Sequence, residues 1–488
     1  MRKSAILRPD ENCWRVEPAD RLRLLVDGAE YFHVFRETAK NARYSLLIIG
    51  WDIDSRFELE RNRPADGFPT RFGEFLHTLV ERSRRLHVRV LDWNYSMVFA
   101  ADREWLPWYR MDWITPRRLR FHLDGRHPVG ASHHQKIVVV DDRVAFVGGL
   151  DFALGRWDSC AHLPDDPRRR DLHDAIPQPY HDVQLMVSGP VARAVGELAR
   201  KRWRTATGRE LHLPVPPANH DPWPQELGAD LLDVQVGIAR TSPRYNGQPE
   251  IREVQRLIVD AVAAARDTIY IENQYFTARC IGEALAGRLV EDDGPEIIVI
   301  LPQRTVGWLS QMTMDVLRER LLRRLYAADR HDRLRVYYPY LPGLGEQCIN
   351  VHAKVLVVDD ELLRVGSSNF NNRSMGLDTE CDLAIEAGGN ARTSHGIATL
   401  RNRLLAEHLD TAPEAVAATL GRHHSLIRTI ETLSRSERTL RPIEFHVADD
   451  LNALVPSASV ADPERAADAD QFARQFVSEE DSVTRDAR

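Results

Sequence analysis

Three observations predict that this chain is an α/β protein built twice. Apolar runs of strand length alternate with amphipathic stretches of helix length. The string His134-Gln135-Lys136-Ile137-Val138-Val139-Val140-Asp141 returns as His352-Ala353-Lys354-Val355-Leu356-Val357-Val358-Asp359, each an H-x-K-x4-D. The two histidines stand 218 positions apart, the period of a whole-domain repeat and not of a solenoid.

The elements follow in the same order in each half. A helix over 31–42 leads into the apolar strand 46–49 and then Gly50-Trp51-Asp52. Its counterpart is a helix over 251–266, a strand over 268–271, and Glu272-Asn273. Strands over 88–91 and 119–122 match those over 297–300 and 334–337. The motif strands 137–140 and 355–358 come next. Their unbroken Ile, Val and Leu runs are what a strand covered on both faces shows. Small-residue turns follow, Gly148-Gly149-Leu150-Asp151 and Gly366-Ser367-Ser368-Asn369. Each half closes with a strand (183–187 and 383–385) and a helix (191–203 and 397–409). This predicts a first half over 1–211, a proline-rich linker over 212–230, a second half over 231–412, and a helical, then polar, extension over 413–488.

The chemistry follows from strand alternation. Residues i and i+2 share a face, so His and Lys project together at the start of each motif strand. Imidazole supplies nucleophilic or acid/base chemistry near neutral pH. An ammonium beside it suits an anionic phosphoryl group whose charge redistributes in the transition state. Two copies provide one imidazole to attack and one to protonate the leaving oxygen. No metal or cofactor is required by such a scheme.

Composition bounds the possibilities. With 43% hydrophobic and 28% charged residues the chain reads as globular. Sixty-five basic residues against 72 acidic ones leave a net charge of −7, with no overall pull toward nucleic acid. No apolar run reaches spanning length, and the first residues lack a hydrophobic signal region. The five cysteines are scattered without C-x-x-C spacing, so neither a disulfide framework nor a zinc site is expected.

Around the motifs the chain resembles the phospholipase D superfamily, in its eukaryotic-type branch. The segment Gly148-Gly149-Leu150-Asp151-Phe152-Ala153-Leu154-Gly155-Arg156-Trp157-Asp158 carries this likeness in the first half. In the second half, Tyr270-Ile271-Glu272-Asn273-Gln274-Tyr275-Phe276 and Asn372-Arg373-Ser374-Met375 carry it. The resemblance implies two α/β sandwich halves with mixed sheets, related by a pseudo-two-fold axis, with the active site at their interface. It implies a phosphohistidine intermediate on His134 and His352 as general acid, the swapped assignment remaining open. Lys136 and Lys354 would grip the non-bridging oxygens, with Asn369 donating its amide. Asp151 stands where the family usually has Asn, and a carboxylate there needs a proton or a neighbouring cation. Each histidine also needs a partner on its second ring nitrogen. Asp182 and Asp382 are expected at equivalent strand starts, with Glu380 an alternative to Asp382. Asp141 and Asp359, at the far ends of the motif strands, are expected to satisfy backbone donors or tie down the following turn.

The implied activity is cleavage of the headgroup ester of a glycerophospholipid, with water or an alcohol as acceptor. The alternatives are a cardiolipin synthase-type phosphatidyltransferase and a nuclease of the same superfamily. The expected setting is a cytoplasmic monomer touching the inner face of a membrane peripherally, with no nucleic-acid partner. Met97, Val98, Phe99, Trp105, Trp108, Tyr109 and Trp113, and then Trp308 and Met312, suit either a membrane interface or helix packing on the sheet. Arg168-Arg169-Arg170 reads as a solvated, self-neutralising patch and not a headgroup clamp.

Overall fold

The computed structural model describes residues 5–62, 64–94, 117–171, 175–305, 311–444 and 462–466. The aromatic stretch from Met97 to Trp113, Trp308, the side chain of Met312 and the polar residues 479–488 lie outside them.

In the first half the strands are β1 (Arg15–Val26), β2 (Ser45–Gly50), β3 (His87–Trp93), β4 (Leu119–Asp124), β5 (Ile137–Val140), β6 (Val144–Gly148), β7 (Tyr180–His181) and β8 (Val183–Ser188). The second half has β9 (Leu231–Ser242), β10 (Ile251–Arg252), β11 (Thr268–Glu272), β12 (Glu296–Ile300), β13 (Leu334–Tyr340), β14 (Asn350–Val351), β15 (Val355–Val358), β16 (Leu362–Gly366), β17 (Glu380–Glu386) and β18 (Thr439–Pro442). The order β1-β8-β6-β5-β2-β3-β4 is repeated as β9-β17-β16-β15-β11-β12-β13. In both halves the order is mixed: β2, β3 and β4 run parallel, as do β11, β12 and β13, while the remaining neighbours are antiparallel. The two copies join edge to edge where β1 pairs antiparallel with β9, Val16 opposite Gly237 and Leu22 opposite Leu231. Antiparallel pairing of equivalent strands is the arrangement a two-fold relation imposes.

Both 12-residue central strands go unseen in the sequence. Pro18 and the charges at Glu17, Asp20, Arg21 and Arg23 mask β1, and β9 mixes Asp233 and Gln235 into its apolar residues.

The motif strands are buried on both faces, as their composition requires. Along β5, Ile137 and Val139 enter a core shared by the two halves, while Val138 and Val140 enter the first half's own core. Along β15, Val355 and Val357 enter the shared core, and Leu356 and Val358 the second half's own. Each such side chain contributes roughly 2 kcal/mol by leaving water.

Helices cover these faces. In the first half they are α1 (Asp27–Lys40), α2 (Phe72–Arg82) and α3 (Pro190–Thr207). In the second they are α4 (Glu253–Ala264), α5 (Arg279–Leu289), α6 (Val316–Ala328), the short α7 (Asn372–Gly376) and α8 (Ala391–His408). Beyond them, α9 (Pro413–His423) and α10 (Leu426–Leu433) precede β18, which adds to the sheet beside β13. No helix among the described residues is long and apolar enough to cross a membrane.

Arg168-Arg169-Arg170 is not the uniformly solvated patch expected. Arg168 pairs with Asp166 at 2.6 Å. Arg169 is buried and reaches Asp158 at 3.0 Å and the carbonyls of Pro164 and Pro177.

Candidate active site

The two motifs meet where the halves meet. His134 and His352 each precede their motif strand by a few residues, and the backbone at each is tied to the opposite half. The amide of His134 donates to the Thr379 carbonyl at 3.0 Å, and that of His352 to the His181 carbonyl at 2.7 Å. His133 bridges Thr379 in parallel, and β14 pairs with β7 in parallel, Val351 opposite His181. These contacts repeat the same two-fold relation at the site.

This pairing delivers the carboxylates. Nδ1 of His134 lies 3.1 Å from both oxygens of Glu380, a residue of the second half. Nδ1 of His352 lies 2.6 Å from Oδ2 of Asp182, a residue of the first half. Each ring is therefore oriented through one nitrogen, leaving Nε2 for chemistry. Glu380 is fixed further by the hydroxyls of Ser367 at 2.5 Å and Ser374 at 2.6 Å. The equivalent of Ser367 in the first half is Gly149, where a Cβ would overlap both oxygens of Asp182.

Asp382 is not a histidine's partner. Its carboxylate binds the wholly buried Arg364 and the Ser368 hydroxyl. The register explains the difference: Gly148 stands opposite Gln184 and Gly366 opposite Asp382. Asp382 thus corresponds to Gln184, and Glu380, two residues earlier, corresponds to Asp182.

The lysines flank the rings. Lys136 Nζ donates to the His134 carbonyl at 3.0 Å, and Lys354 Nζ to the His352 carbonyl. Lys136 also pairs with Asp151 at 3.1 Å, and Asp151 accepts from the Trp51 amide at 2.9 Å. The carboxylate that replaces the usual amide thus has the cation it needs. Its counterpart Asn369 is buried, and its side-chain oxygen has no hydrogen bond.

Asp141 and Asp359 lie away from the histidines. Asp141 accepts from the amides of Arg43, Tyr44 and Ser45 at 2.6–2.8 Å and from His220 at 2.6 Å. Asp359 accepts from the amides of Arg266, Asp267 and Thr268. They secure the entry to the neighbouring strand and not the following turn.

Burial governs the electrostatics. It pushes the Asp182 carboxyl up to about 7, against the pull of Lys354 and its own hydrogen bonds. Burial, then the charges of Lys354, Arg156 and Lys136, hold His352 well below the ordinary imidazole value. Burial also brings the Lys354 ammonium down to about 7, with Lys136 opposing its charge from across the interface. Such a cluster of cations favours an incoming anion.

Arg156 carries no sequence signal beyond its place in the string Gly155-Arg156-Trp157-Asp158. Its guanidinium lies 4.9 Å over the Tyr180 ring, itself 5.2 Å from the His352 ring. Trp51 stands edge-on to His134 at 6.2 Å, with Lys136 Nζ 5.7 Å over it. Position after β2 was the only signal for Trp51.

The family described as Phospholipase D matches residues 38–282, and that described as Cardiolipin synthase, PLD-like domain, matches residues 258–395. "Phospholipase D alpha 1" of Carica papaya is 23% identical, over 74% of this chain and 61% of that protein. "Phospholipase D alpha 1" of Arabidopsis thaliana is 24% identical, over 72% and 59% respectively. The chain therefore spans less than two thirds of the length of these relatives. Among solved structures, phosphatidylserine synthase of Haemophilus influenzae Rd KW20 superposes with a TM-score of 0.52 at 14% identity, covering 86% of this chain and 96% of that one. That likeness is one of fold.

Proposed function

This chain belongs to the phospholipase D family, and from that premise we propose that it cleaves the headgroup ester of glycerophospholipids through a phosphohistidine. The observation that carries the reading is the reciprocal pair His134–Glu380 and His352–Asp182 beside Lys136 and Lys354.

His134 Nε2 attacks phosphorus, and the bond from phosphorus to the headgroup oxygen breaks as His352 donates its proton to that oxygen. The phosphatidyl group is then carried on His134. His352, now neutral, takes a proton from water or an alcohol, whose oxygen attacks phosphorus and breaks the phosphorus–nitrogen bond. Lys136, Lys354 and the Asn369 amide hold the non-bridging oxygens as their charge changes. Before substrate arrives the site holds His352 neutral. A phosphodiester monoanion entering among the cations offsets their effect, so His352 gains its proton with the substrate. The substrate's lipid nature brings the protein to a membrane surface peripherally.

The match of residues 258–395 to a cardiolipin synthase-type domain favours a second reading, in which the acceptor is a lipid alcohol. One experiment addresses both. Purified protein is incubated with mixed phospholipid vesicles containing ethanol, and then with vesicles containing phosphatidylglycerol, with His134→Asn as control. Phosphatidylethanol or phosphatidic acid formed only by the intact protein supports the proposal. Exclusive formation of a lipid-to-lipid transfer product supports the transferase. No lipid product from folded protein would sink both.

A further inference from the structure

Behind the site lies a second cluster of ionisable groups that the proposed chemistry does not use. Asp27, at the start of α1, and His162 and His181 come from the first half, and Glu407, near the end of α8, from the second. The first three are wholly buried. His181 Nδ1 stands 3.0 Å from both Asp27 Oδ1 and Glu407 Oε1. His162 Nε2 stands 3.1 Å from Glu407 Oε1 and 3.4 Å from Asp27 Oδ2. Four ligands at zinc distances on a tetrahedron are separated by about 3.3 Å; the four nitrogen–oxygen distances here run from 3.0 to 3.4 Å, and one ligand atom from each residue lies within 4.8 Å of the others.

The outward nitrogens fix what these atoms are. His162 Nδ1 meets Asp158 Oδ2 at 2.7 Å, and His181 Nε2 meets Glu272 Oε2 at 2.9 Å. If each ring donates its proton outward to its carboxylate, the inward nitrogens carry lone pairs. Four acceptors then face one another and need a cation between them. A second proton on each ring is the competing solution. His162 Nε2 does lie in hydrogen-bond geometry with Glu407 Oε1 at 3.1 Å, but His181 Nδ1 finds neither of its two carboxylate oxygens in line at 3.0 Å, and Asp27 Oδ2 is buried without a hydrogen bond. Both atoms are placed for a cation and not for a proton in line. Asp27 also holds a positive φ of 63° to aim its carboxylate, a conformation aspartate tolerates but few other residues do.

We propose that Asp27, His162, His181 and Glu407 bind a divalent transition metal of the zinc class, which clamps the two halves together behind the active site. Two imidazoles in the set argue against calcium and magnesium, which take oxygen ligands. The charges balance: the two carboxylates neutralise the ion, and Arg169 neutralises Asp158 at 3.0 Å. On the far side of His181, Glu272 is held by His408 at 3.2 Å and by the Tyr270 hydroxyl. Carboxylates on the outward nitrogens of metal-bound histidines are the usual means of setting ring orientation. The Arg438 guanidinium stands 3.9 Å from the same Glu407 oxygen, beyond hydrogen-bond reach. The ion does not touch the reacting atoms; it positions them. His181 directly precedes Asp182, whose amide donates to Asp27 Oδ1 at 3.2 Å and whose carboxylate orients His352.

The test is independent of activity. The full chain is produced with zinc supplied, freed of loose metal, and analysed by elemental mass spectrometry beside His162→Gln and His134→Asn. About one zinc per chain is expected in the intact protein and in His134→Asn, and none in His162→Gln. As a second measurement, metal-stripped intact protein is loaded with cobalt(II), which should give the visible bands of a four-coordinate ion. Zinc retained by His162→Gln would overturn the proposal. So would intact protein that holds neither zinc nor four-coordinate cobalt.

Discussion

At the residue scale, the H-x-K motifs put His134, Lys136, His352 and Lys354 forward as the reacting groups, with Asp182 and either Asp382 or Glu380 as their carboxylate partners. The histidines and lysines lie just before β5 and β15 and not on them, and the backbone at each histidine is fixed by the opposite half. Which carboxylate serves which histidine depends on pairing between the halves, which no local pattern carries. Matching Asp182 with Asp382 compares two acids that stand just before apolar runs, whereas the ladder register assigns Glu380 to that place. The difference is testable. Glu380→Gln should lower kcat on the order of 10²- to 10⁴-fold with KM little changed, because His134 loses its orientation and charge partner. Asp382→Asn should instead leave Arg364 buried without its carboxylate, costing about 3 kcal/mol in urea unfolding while kcat of the folded fraction holds. The depressed His352 and Lys354 also set the pH dependence. Both lose their protons in the free enzyme as pH rises, Lys354 at about 7 and His352 well below the ordinary imidazole value. Since the proposed chemistry needs both protonated but needs Asp182, which burial holds at about 7, ionised, kcat/KM should peak near pH 7 and fall on either side. A kcat/KM that climbs steadily from pH 7 to 9 would contradict that assignment.

At the element scale, most strands that carry apolar runs were legible, but β6 and β16, which carry such runs too, were not, and neither were the two strands on which the halves join. β1 and β9 lie at the middle of the combined sheet yet carry charged and polar residues, because parts of their faces meet solvent or salt bridges and not core. The closing aspartates of the motifs show the same dependence on neighbours. Asp141 belongs to β5 in sequence but serves the amides that start β2, as Asp359 of β15 serves those before β11. Asp141→Ala would orphan three backbone donors and the His220 ring. We expect a loss of about 3 kcal/mol in denaturant unfolding, with kcat per folded molecule unchanged. A selective loss of kcat without loss of stability would place Asp141 in the chemistry after all.

At the scale of the whole molecule, duplication was legible from two strings 218 positions apart, but reciprocity was not. Each half supplies the histidine and lysine of its own motif and the carboxylate for the other half's histidine, so neither half holds a complete site. A chain cut to 1–211 or to 231–488 should be inactive even if it folds, and activity should return only when the two associate through β1 and β9. The central claim is that one histidine becomes covalently bound while the other only moves protons. It is tested most directly with His352→Asn and a phosphatidyl ester of 4-nitrophenol, a leaving group that needs no proton. The expected result is a burst of nitrophenol of about one equivalent per chain, then near-arrest, with peptide mass spectrometry finding the phosphatidyl group on His134. Steady turnover with no adduct, or an adduct on any other residue, would contradict it.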